Sequence, residues 1–341
     1  MKLKIAVAIL NWNGKELLEK YLPSVNEHSN EHSVYLIDNN SSDESVAYVE
    51  SEFPNIKIIQ TGVNLGYAGG YNAGLKGIKE EYAVLLNSDV RTTPDWLDPI
   101  VKHFDLHTRC GAVQPKILWD RQPEKFEYAG ASGGFIDSLG YPFCRGRILH
   151  ELEIDHGQYD DAVQVFWATG ACLAVRMEAF HDAGELDSML FAHMEEIDLC
   201  WRMQRAGYEI WVEPQSTVYH LGGATLNADS PRKTYLNFRN NLIILVKNLP
   251  QLRALGVVFI RLLLDGIAAI KFVLEGKPSH ALAILKAHFG FYSRFTKIQR
   301  NRMSISHLPL LPMKALKGTY KGSMVWQFYG KGIKYFSRFH R

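Results

Sequence analysis

A strand-like apolar run that stops abruptly at an acid is the feature that most constrains this chain. Residues 83–89 read AVLLNSD, so that Ala83–Leu86 gives way at once to Asn87, Ser88 and Asp89. The pattern predicts a buried strand with a carboxylate at its carboxyl end, the edge at which open α/β sheets bind ligands. A carboxylate there can hold a divalent cation against a diphosphate. The structural alternative is a strand followed by an Asx-turn.

The first 120 residues alternate between strand-like and helix-like segments, which predicts an α/β fold with a mostly parallel central sheet flanked by helices. Shorter strands follow, and after Pro231 the chain reads as long helices. We therefore expect three parts, residues 1–110, 111–230 and 231–341. The predicted strands are Leu3–Leu10, Ser33–Ile37, Ile56–Ile59, Tyr82–Leu86, Tyr208–Val212 and Thr217–Tyr219, and the predicted helices are Gly14–His28, Ser42–Phe53, Tyr67–Lys79, Asp95–His107, Glu178–Ala183 and Glu195–Ala206.

Composition and cysteine spacing indicate the cellular compartment and argue against some kinds of site. A length of 341 residues with 47% hydrophobic and 22% charged residues is ordinary for a globular protein. The apolar run near the N-terminus breaks at Asn11, which favours a first strand over a signal peptide. Widely spaced cysteines without a CxxC pair argue against a zinc site or a disulfide framework and favour a reducing compartment, so we expect a cytoplasmic protein. These cysteines are Cys110, Cys144, Cys172 and Cys200.

The C-terminal part carries a strong positive charge that the overall balance of +2 conceals. Between residues 231 and 341, 20 Lys and Arg face only Asp265 and Glu275. Such asymmetry predicts a polyanionic partner. Because no nucleic-acid-binding motif is present and the basic residues alternate with long apolar stretches, we expect an anionic membrane surface as partner and no nucleic acid.

One of these stretches, Leu252–Leu274, approaches the length of a membrane span. Its four charged side chains fall within an arc of roughly 120° on a helix. This narrow polar stripe favours a helix that lies in the membrane interface. Packing within the protein or an oligomer, and a true membrane span, are the alternatives. The charged residues are Arg253, Arg261, Asp265 and Lys271.

Two further motifs lie where the predicted fold would bind a ligand. Asp38–Asp43 (DNNSSD) ends the second strand, where a carboxylate can accept hydrogen bonds from a base or ribose. The same residues could simply form a turn and a helix cap. Asn64–Gly74 (NLGYAGGYNAG) places glycines at a helix start, where backbone N–H groups and the helix dipole favour an anion. Its structural alternative is a helix packed tightly on the sheet.

The later part of the chain offers an acidic helix start and a single histidine. Glu195–Arg202 (EEIDLCWR) begins with acids, one of which could accept a proton. The alternative is favourable placement in the helix dipole on a solvated face, with Asp198 able to pair with Arg202. His220 ends a predicted strand; such a residue is more often structural, but beside an aspartate-bound cation it is a candidate metal ligand.

In this order the motifs resemble the family 2 inverting glycosyltransferases, in particular the branch with bacterial rhamnosyltransferases of cell-surface polysaccharides. The resemblance runs from Ile5 to about Val246 and implies a GT-A fold, with a nucleotide-binding half followed by an acceptor half. Its elements are AILNWNG (Ala8–Gly14), LIDNNSSDES (Leu36–Ser45), NLGYAGGYNAG (Asn64–Gly74), LLNSDV (Leu85–Val90), WATGACLAVR (Trp167–Arg176), FAHMEEIDLCWRMQRAGY (Phe191–Tyr208), VYHLGG (Val218–Gly223) and YLNFRNNL (Tyr235–Leu242).

The resemblance also implies roles on the donor side. Asp38 would read the pyrimidine base of the donor, and Asn11 and Asn64 would lie around the nucleoside. Gly66 would let the backbone come close to the ligand. Asn87 stands where the family's Asp-x-Asp motif has its first acid, so the site is less anionic than usual.

Two more roles follow from the resemblance. Asp89 and His220 would hold Mg²⁺ or Mn²⁺ against the donor diphosphate. Glu196 matches the catalytic base, which is usually an aspartate, so Glu195 remains a competitor for that role. Asp198 matches the next acid of the motif.

The implied activity is inverting transfer of rhamnose or another hexose from a dTDP- or UDP-linked donor to a saccharide or lipid-linked saccharide. The basic C-terminal part would hold the enzyme peripherally at the inner face of the cell membrane. A non-catalytic GT-A-like carbohydrate-binding or scaffold protein is the alternative. A dehydrogenase would need GxGxxG, and a nucleotide-sugar pyrophosphorylase a loop rich in glycine and arginine, where this chain has Asn11–Gly14.

Overall fold

The computed structural model describes residues 3–29, 31–222 and 230–339. Its strands form a large and a small sheet. In chain order they are β1 (Ile5–Asn11), β2 (Ser33–Asp38), β3 (Lys57–Gln60), β4 (Tyr82–Asn87), β5 (Val90–Thr92), β6 (Cys110–Trp119), β7 (Gln122–Phe126), β8 (Gly134–Asp137), β9 (Pro142–Cys144), β10 (Arg147–Ile148), β11 (Glu151–Leu152), β12 (Val163–Gln164), β13 (Cys172–Arg176), β14 (Glu209–His220) and β15 (Thr319–Tyr320).

Helices precede or follow most strands of the first half and dominate the C-terminal part. In chain order they are α1 (Lys15–His28), α2 (Ser45–Glu52), α3 (Gly66–Leu75), α4 (Leu97–Leu106), α5 (Met177–Asp182), α6 (Glu195–Arg205), α7 (Pro231–Asn248), α8 (Gln251–Leu274), α9 (Pro278–Tyr292) and α10 (Phe295–Ser304), with short turns of tighter or wider helix at Met313–Ala315, Trp326–Gly330 and Phe336–Arg338.

The large sheet has the strand order β12-β14-β6-β13-β4-β1-β2-β3. Strands β4, β1, β2 and β3 run parallel, as the alternating pattern predicts. Strand β13 runs antiparallel between β4 and β6, so the predicted mostly parallel sheet is in fact mixed. The two strands predicted around residues 208–219 form the single strand β14, which absorbs Pro214 in an irregularity between Glu213 and Thr217.

Helices cover both faces of this sheet, and alternate residues of β1 show why. Ile5, Val7 and Ile9 pack with α1, α2 and α4 on one face. Ala6 and Ala8 pack with α3, α6 and α7 on the other. Because successive side chains of a strand point to opposite faces, a strand buried on both sides must be apolar throughout. The α/β fold class is confirmed.

Residues near the C-terminus pack against the earlier part of the chain. The small sheet has the order β11-β10-β9-β8-β15, so Thr319–Tyr320 completes a sheet that otherwise belongs to residues 134–152. Helix α6 is also held from this side, because Arg205 donates to the carbonyls of Leu308 and Pro309 at 2.9 Å each.

Helix α8 turns the middle of its charged stripe towards the protein and its apolar residues outwards. Arg261 and Asp265 are 3% and 0% exposed. Arg261 lies 3.7 Å from the ring centroid of Tyr141, and Asp265 lies 3.1 Å from His288. Leu263 and Ile267 are about 60% exposed. Within the described residues, no helix combines the length and the apolar character that crossing a bilayer requires.

Candidate active site

The parallel strands bring the polar ends of three segments to one edge. In the register of β1 with β2, Asn11 pairs with Asp38. In the register of β1 with β4, Leu10 pairs with Asn87. The structure therefore places three of the predicted ligand-binding residues side by side at the carboxyl edge of the sheet, as expected for an open α/β fold.

Asn11 and Asp38 are buried and joined in one hydrogen-bond network. The Asn11 amide donates to Ser45 Oγ at 2.9 Å, to Ser41 Oγ at 3.1 Å and to Asp38 Oδ1 at 3.4 Å. The Ser41 N–H donates to Asp38 Oδ2 at 3.2 Å. A Cβ at Gly14 would lie 2.5 Å from Asn11 Oδ1, so a glycine is needed there. Asn11 thus orients the Asp38 carboxylate from inside the protein.

Asn39 ties the second strand to the glycine-rich motif. Its amide donates to the Gly66 carbonyl at 3.1 Å and to Asn64 Oδ1 at 3.2 Å, and its own oxygen accepts from the Leu65 N–H at 3.0 Å. The Asn64 side chain in turn accepts from the Gly66 N–H at 2.9 Å. Asn64 therefore shapes the loop before α3, with Asn39 as the organising residue.

Gly66 is required by a contact within the protein. Its φ is +70°, and a Cβ would lie 2.6 Å from the Phe191 ring and 2.8 Å from the Phe191 carbonyl oxygen. The Tyr67 N–H at the start of α3 donates to that carbonyl at 2.9 Å. We expected Gly66 to let a ligand approach the backbone, and this expectation needs correction. The Phe191 side chain fills the space beside Gly66, and the Phe191 carbonyl accepts the Tyr67 N–H.

Asp89 and His220 meet directly although 131 residues separate them. Asp89 Oδ1 lies 3.0 Å from His220 Nε2, because β14 pairs antiparallel with β5, which follows Asp89. The Asn87 amide lies 3.4 Å from the same nitrogen. On the other side of the ring, Glu127 Oε2 lies 3.3 Å from His220 Nδ1. The imidazole is therefore sandwiched between two buried carboxylates.

These charges set the protonation of the cluster. Burial alone would lower the pKa of His220, but Glu127 and Asp89 outweigh it and raise this pKa to about 10. Burial would raise the pKa of Asp89, but the charge and hydrogen bond of His220 outweigh it, and this pKa lies below its usual range. The His220 imidazole therefore keeps its proton beside the ionised Asp89.

The Asp89–His220 pair fits a small divalent cation. Two ligands on adjacent octahedral positions, each about 2.1 Å from the ion, are about 3.0 Å apart, which matches the Oδ1–Nε2 distance. Among residues 3–29, 31–222 and 230–339, no group of three or more His, Cys, Asp and Glu is arranged to hold a metal. The protein thus offers two ligands, and further ligands would come from substrate and water.

Glu195 and Glu196 open α6 after a loop with unusual backbone geometry. Phe191, His193 and Met194 have φ values of 66°, 69° and 74°, a left-handed conformation that non-glycine residues adopt at a cost. Oε2 of each glutamate is buried and has no hydrogen-bond partner among the described residues. Burial raises the pKa of both carboxyls, and Glu196 adds to this effect at Glu195. Carboxylates that retain affinity for a proton suit a general base.

Glu195 and Glu196 share electrostatic neighbours with other parts of the site. The Cys144 thiol is within electrostatic range of both Glu127 and Glu196. Tyr67, the second residue of α3, is within such range of both Glu195 and Glu196. Glu127, which contacts His220, and Glu196 at the start of α6 therefore act on the same neighbour, the Cys144 thiol.

Comparison with known proteins identifies the family. The profile described as Glycosyl transferase family 2 matches residues 6–181, just over half of the chain. This chain belongs to glycosyl transferase family 2. The N-acetylglucosaminyl-diphospho-decaprenol L-rhamnosyltransferase of Mycobacterium tuberculosis is 28% identical over 61% of this chain and 73% of its own length. The rhamnosyltransferase WbbL of Escherichia coli is 22% identical over 63% and 83%, and the hexosyltransferase Agl10 of Haloferax volcanii 23% over 87% and 94%.

Solved structures place this family 2 glycosyltransferase in the GT-A fold. A structure of GalNAc-T7 with UDP, GalNAc and Mn²⁺ is similar with a TM-score of 0.59 at 16% identity, over 91% of this chain and 59% of that chain. A structure of S. aureus TarS in complex with UDP-GlcNAc is similar with a TM-score of 0.53 at 15% identity, over 89% and 91%.

Asp198 of this glycosyltransferase lies in a buried ion-pair cluster. Its Oδ2 accepts from Arg202 at 2.9 Å and from Lys247 at 2.7 Å, and its Oδ1 accepts from Asn248 at 2.7 Å. Burial would raise the pKa of Asp198, but Arg202 and Lys247 outweigh it and lower this pKa to about 2. A carboxylate so engaged is unsuited to accept a proton, so we correct the catalytic role expected for Asp198 to that of joining α6 to α7.

Asn240 of α7 holds the strained loop that leads into Glu195. Its amide lies 3.0, 2.9 and 2.7 Å from the carbonyl oxygens of Leu190, Ala192 and His193. The neighbouring Arg239 reaches the Leu190 carbonyl at 3.1 Å. The motif YLNFRNNL was part of the family resemblance, but its sequence gives no sign of which loop it contacts.

Glu127, like Asn240, is a residue of the site whose role the sequence did not predict. It follows β7 as a single acid with no recognisable motif, 93 positions before the histidine that it contacts. Gly223, the last residue of the VYHLGG motif, lies outside the described residues.

Proposed function

We propose that this chain is an inverting hexosyltransferase of cell-surface polysaccharide synthesis. It moves rhamnose or another hexose from a dTDP- or UDP-linked donor to a saccharide or lipid-linked saccharide. The observation that carries the proposal is the Asp89–His220 pair at the strand edge, 3.0 Å apart, together with the glutamates that open α6, each with a buried Oε2. The rhamnosyltransferases among the relatives support the sugar and the kind of acceptor.

The donor binds along the carboxyl edge of β1, β2 and β4. Asp38, fixed by Asn11 and Ser41, accepts hydrogen bonds from the pyrimidine base. Asn64 and Gly66 shape the loop beside the nucleoside, and Asn87 lies next to the diphosphate. In this proposal residues 1–110 form the donor half and residues 111–230 the acceptor half.

Asp89 and a deprotonated His220 would hold Mg²⁺ or Mn²⁺ in the proposed enzyme. Neighbouring GT-A structures that contain Mn²⁺ support a divalent ion. Such an ion supplies positive charge against the leaving diphosphate, which is worth several kcal/mol in related chemistry. Glu127, 3.3 Å from Nδ1 of His220, would keep a proton on that nitrogen and leave Nε2 as the metal-ligating one, as carboxylates commonly do for metal-binding histidines.

Glu196 acts as the base. It removes a proton from the acceptor hydroxyl while that oxygen attacks the anomeric carbon, and the nucleoside diphosphate leaves from the opposite face. The configuration is therefore inverted in one displacement. Glu196 is favoured over Glu195 because it is partly exposed, whereas only 4% of Glu195 is exposed.

The test is release of nucleoside diphosphate from dTDP-rhamnose and from UDP-hexoses with Mn²⁺, with and without a synthetic prenyl-diphosphate-linked saccharide. We expect release that depends on the acceptor, and a product whose anomeric configuration, read by NMR, is opposite to that of the donor. Donor binding without release across the panel would instead support the non-catalytic carbohydrate-binding protein. A product that retains the configuration would overturn the single displacement.

A further inference from the structure

We infer that a basic cavity between α7, α10 and the loop before α6 binds the diphosphate of a lipid-linked acceptor. The inference rests on the proposed function, in which the acceptor is lipid-linked, and names a second diphosphate site distinct from that of the donor. The cavity has a volume of about 490 Å³, enough for a diphosphate and its first sugar. Its lining includes Phe191, Arg232, Tyr235, Arg239, Arg294 and Lys297.

The charge of this cavity is entirely of one sign. Four of its nine lining residues are Arg or Lys, and none is Asp or Glu. In the part of the chain that the structure describes, these four cations form no ion pair with a carboxylate. Burial lowers the pKa of Arg239, and the nearby Arg294 charge adds to this effect. Crowded cations without counterions are the arrangement that binds a phosphate group strongly.

An exposed apolar row borders the cations. Leu285, Phe289 and Tyr292 share one face of α9 and are 53%, 75% and 56% exposed, and Phe295 follows at 43%. Arg294 lies between the last two in the chain, and Gly290 of the same helix packs against the Tyr235 hydroxyl. A site that is cationic inside and apolar along its border fits an anionic head on a hydrocarbon chain.

The cavity adjoins the proposed base. Phe191 lines it and also packs on Gly66. Only three residues separate Phe191 from Glu195, and Arg239 both lines the cavity and holds this loop through the Leu190 carbonyl. A diphosphate bound here would place the sugar attached to it close to the start of α6.

The test measures binding of farnesyl diphosphate in EDTA, where the donor site lacks its cation. Wild-type protein should bind it more tightly than inorganic diphosphate or farnesol, and UDP should not displace it. Arg294→Gln/Lys297→Gln should weaken binding at least about tenfold, since each cation makes a charge-assisted contact. The matched control Lys286→Gln/Arg300→Gln removes two exposed charges from α9 and α10, outside the cavity, and should change affinity less than twofold.

Equal weakening in the two double variants, displacement by UDP, or no binding to wild-type protein would each overturn the site. Vesicles containing phosphatidylglycerol separate a lipid headgroup from an acceptor diphosphate. If the cavity variant loses only vesicle binding and keeps its farnesyl diphosphate affinity, the site is not the one inferred. UDP binding with Mn²⁺ is measured in parallel, so that failure of the proposed function appears as absent donor binding, independently of the cavity.

Discussion

Glu195 and Glu196 are adjacent in sequence but differ in what they can do. Oε2 of each glutamate is buried and has no partner among the described residues, yet Glu196 as a whole is partly exposed whereas Glu195 is not. We expect Glu196→Gln to lower kcat by about 10²- to 10⁴-fold, because a positioned base contributes that much. Donor affinity with Mn²⁺ should stay unchanged in calorimetry. Glu195→Gln is the matched control, and near-normal turnover of Glu196→Gln would transfer the role of base to Glu195.

The raised pKa of Glu195 also has a cost in stability. Between about pH 4.3, where a carboxyl in the unfolded chain titrates, and the higher pKa of the folded state, the folded protein binds more protons than the unfolded one. The free energy of unfolding therefore falls as pH rises through this window. Glu195→Gln removes the penalty and should therefore stabilise the protein, by more at pH 7.5 than at pH 5. Urea denaturation at both pH values checks this, and a gain independent of pH would contradict it.

Asp89 is the predicted metal ligand that directly contacts the second predicted ligand, His220. Asp89→Ala should weaken donor binding at least about tenfold in Mn²⁺, because a charged ligand of the cation is lost. In EDTA, wild type and variant should bind the donor equally. Titration of both proteins with UDP in the two conditions gives the answer, and unchanged affinity in Mn²⁺ would remove Asp89 from the cation site.

At the scale of elements, the start of α3 and the loop before α6 depend on each other. Gly66→Ala adds a Cβ against Phe191 at a left-handed position, whereas Gly62, at φ +75°, has nothing within 4 Å. Both alanine variants bear the same backbone strain, roughly 1–3 kcal/mol. Gly66→Ala should lose further stability in thermal unfolding and lower kcat, because the loop that leads into Glu195 must move. Equal effects of the two variants would show that Phe191 does not matter.

The strands that could be predicted are those whose own residues show an apolar run with a polar end. Apolar runs ending in Asn11, Asp38 and Asn87 gave the parallel strands and their shared polar edge, because parallel strands end on the same side. The sequence could not reveal that β13 runs antiparallel, since a strand buried on both faces reads alike in either direction. Glu127 was equally hidden, because its contact with His220 depends on the pairing of β6, β7 and β14.

For the whole molecule, the outward face of α8 is the feature to explain. The polar stripe was expected to indicate a helix lying in the membrane interface, with packing within the protein as an alternative. Arg261 and Asp265 point into the protein, while Leu263 and Ile267 point out. We propose that this outward apolar face, flanked by the excess of basic residues, docks on an anionic membrane surface at the inner face of the cell membrane.

Flotation with liposomes containing phosphatidylglycerol tests this docking. Leu263→Gln/Ile267→Gln should lower the bound fraction at least about tenfold, since both side chains would lose apolar burial. The matched control is Val63→Gln/Leu106→Gln, which alters two equally exposed apolar residues elsewhere. Full-length protein that stays unbound at low salt, or equal losses in both variants, would exclude a membrane-docking face on α8.

Strand β15 has a consequence for how the molecule can be divided. Thr319–Tyr320 seals the border of the small sheet by pairing with β8, and Arg205 of α6 is anchored on residues 308 and 309. A protease cut after α10 that released β15 would leave the backbone N–H and C=O groups of β8 unpaired on that side. A truncated protein that lacks the exposed apolar face of α8 must therefore still contain residues 305–320. Without them, the unpaired edge of β8 would itself promote aggregation.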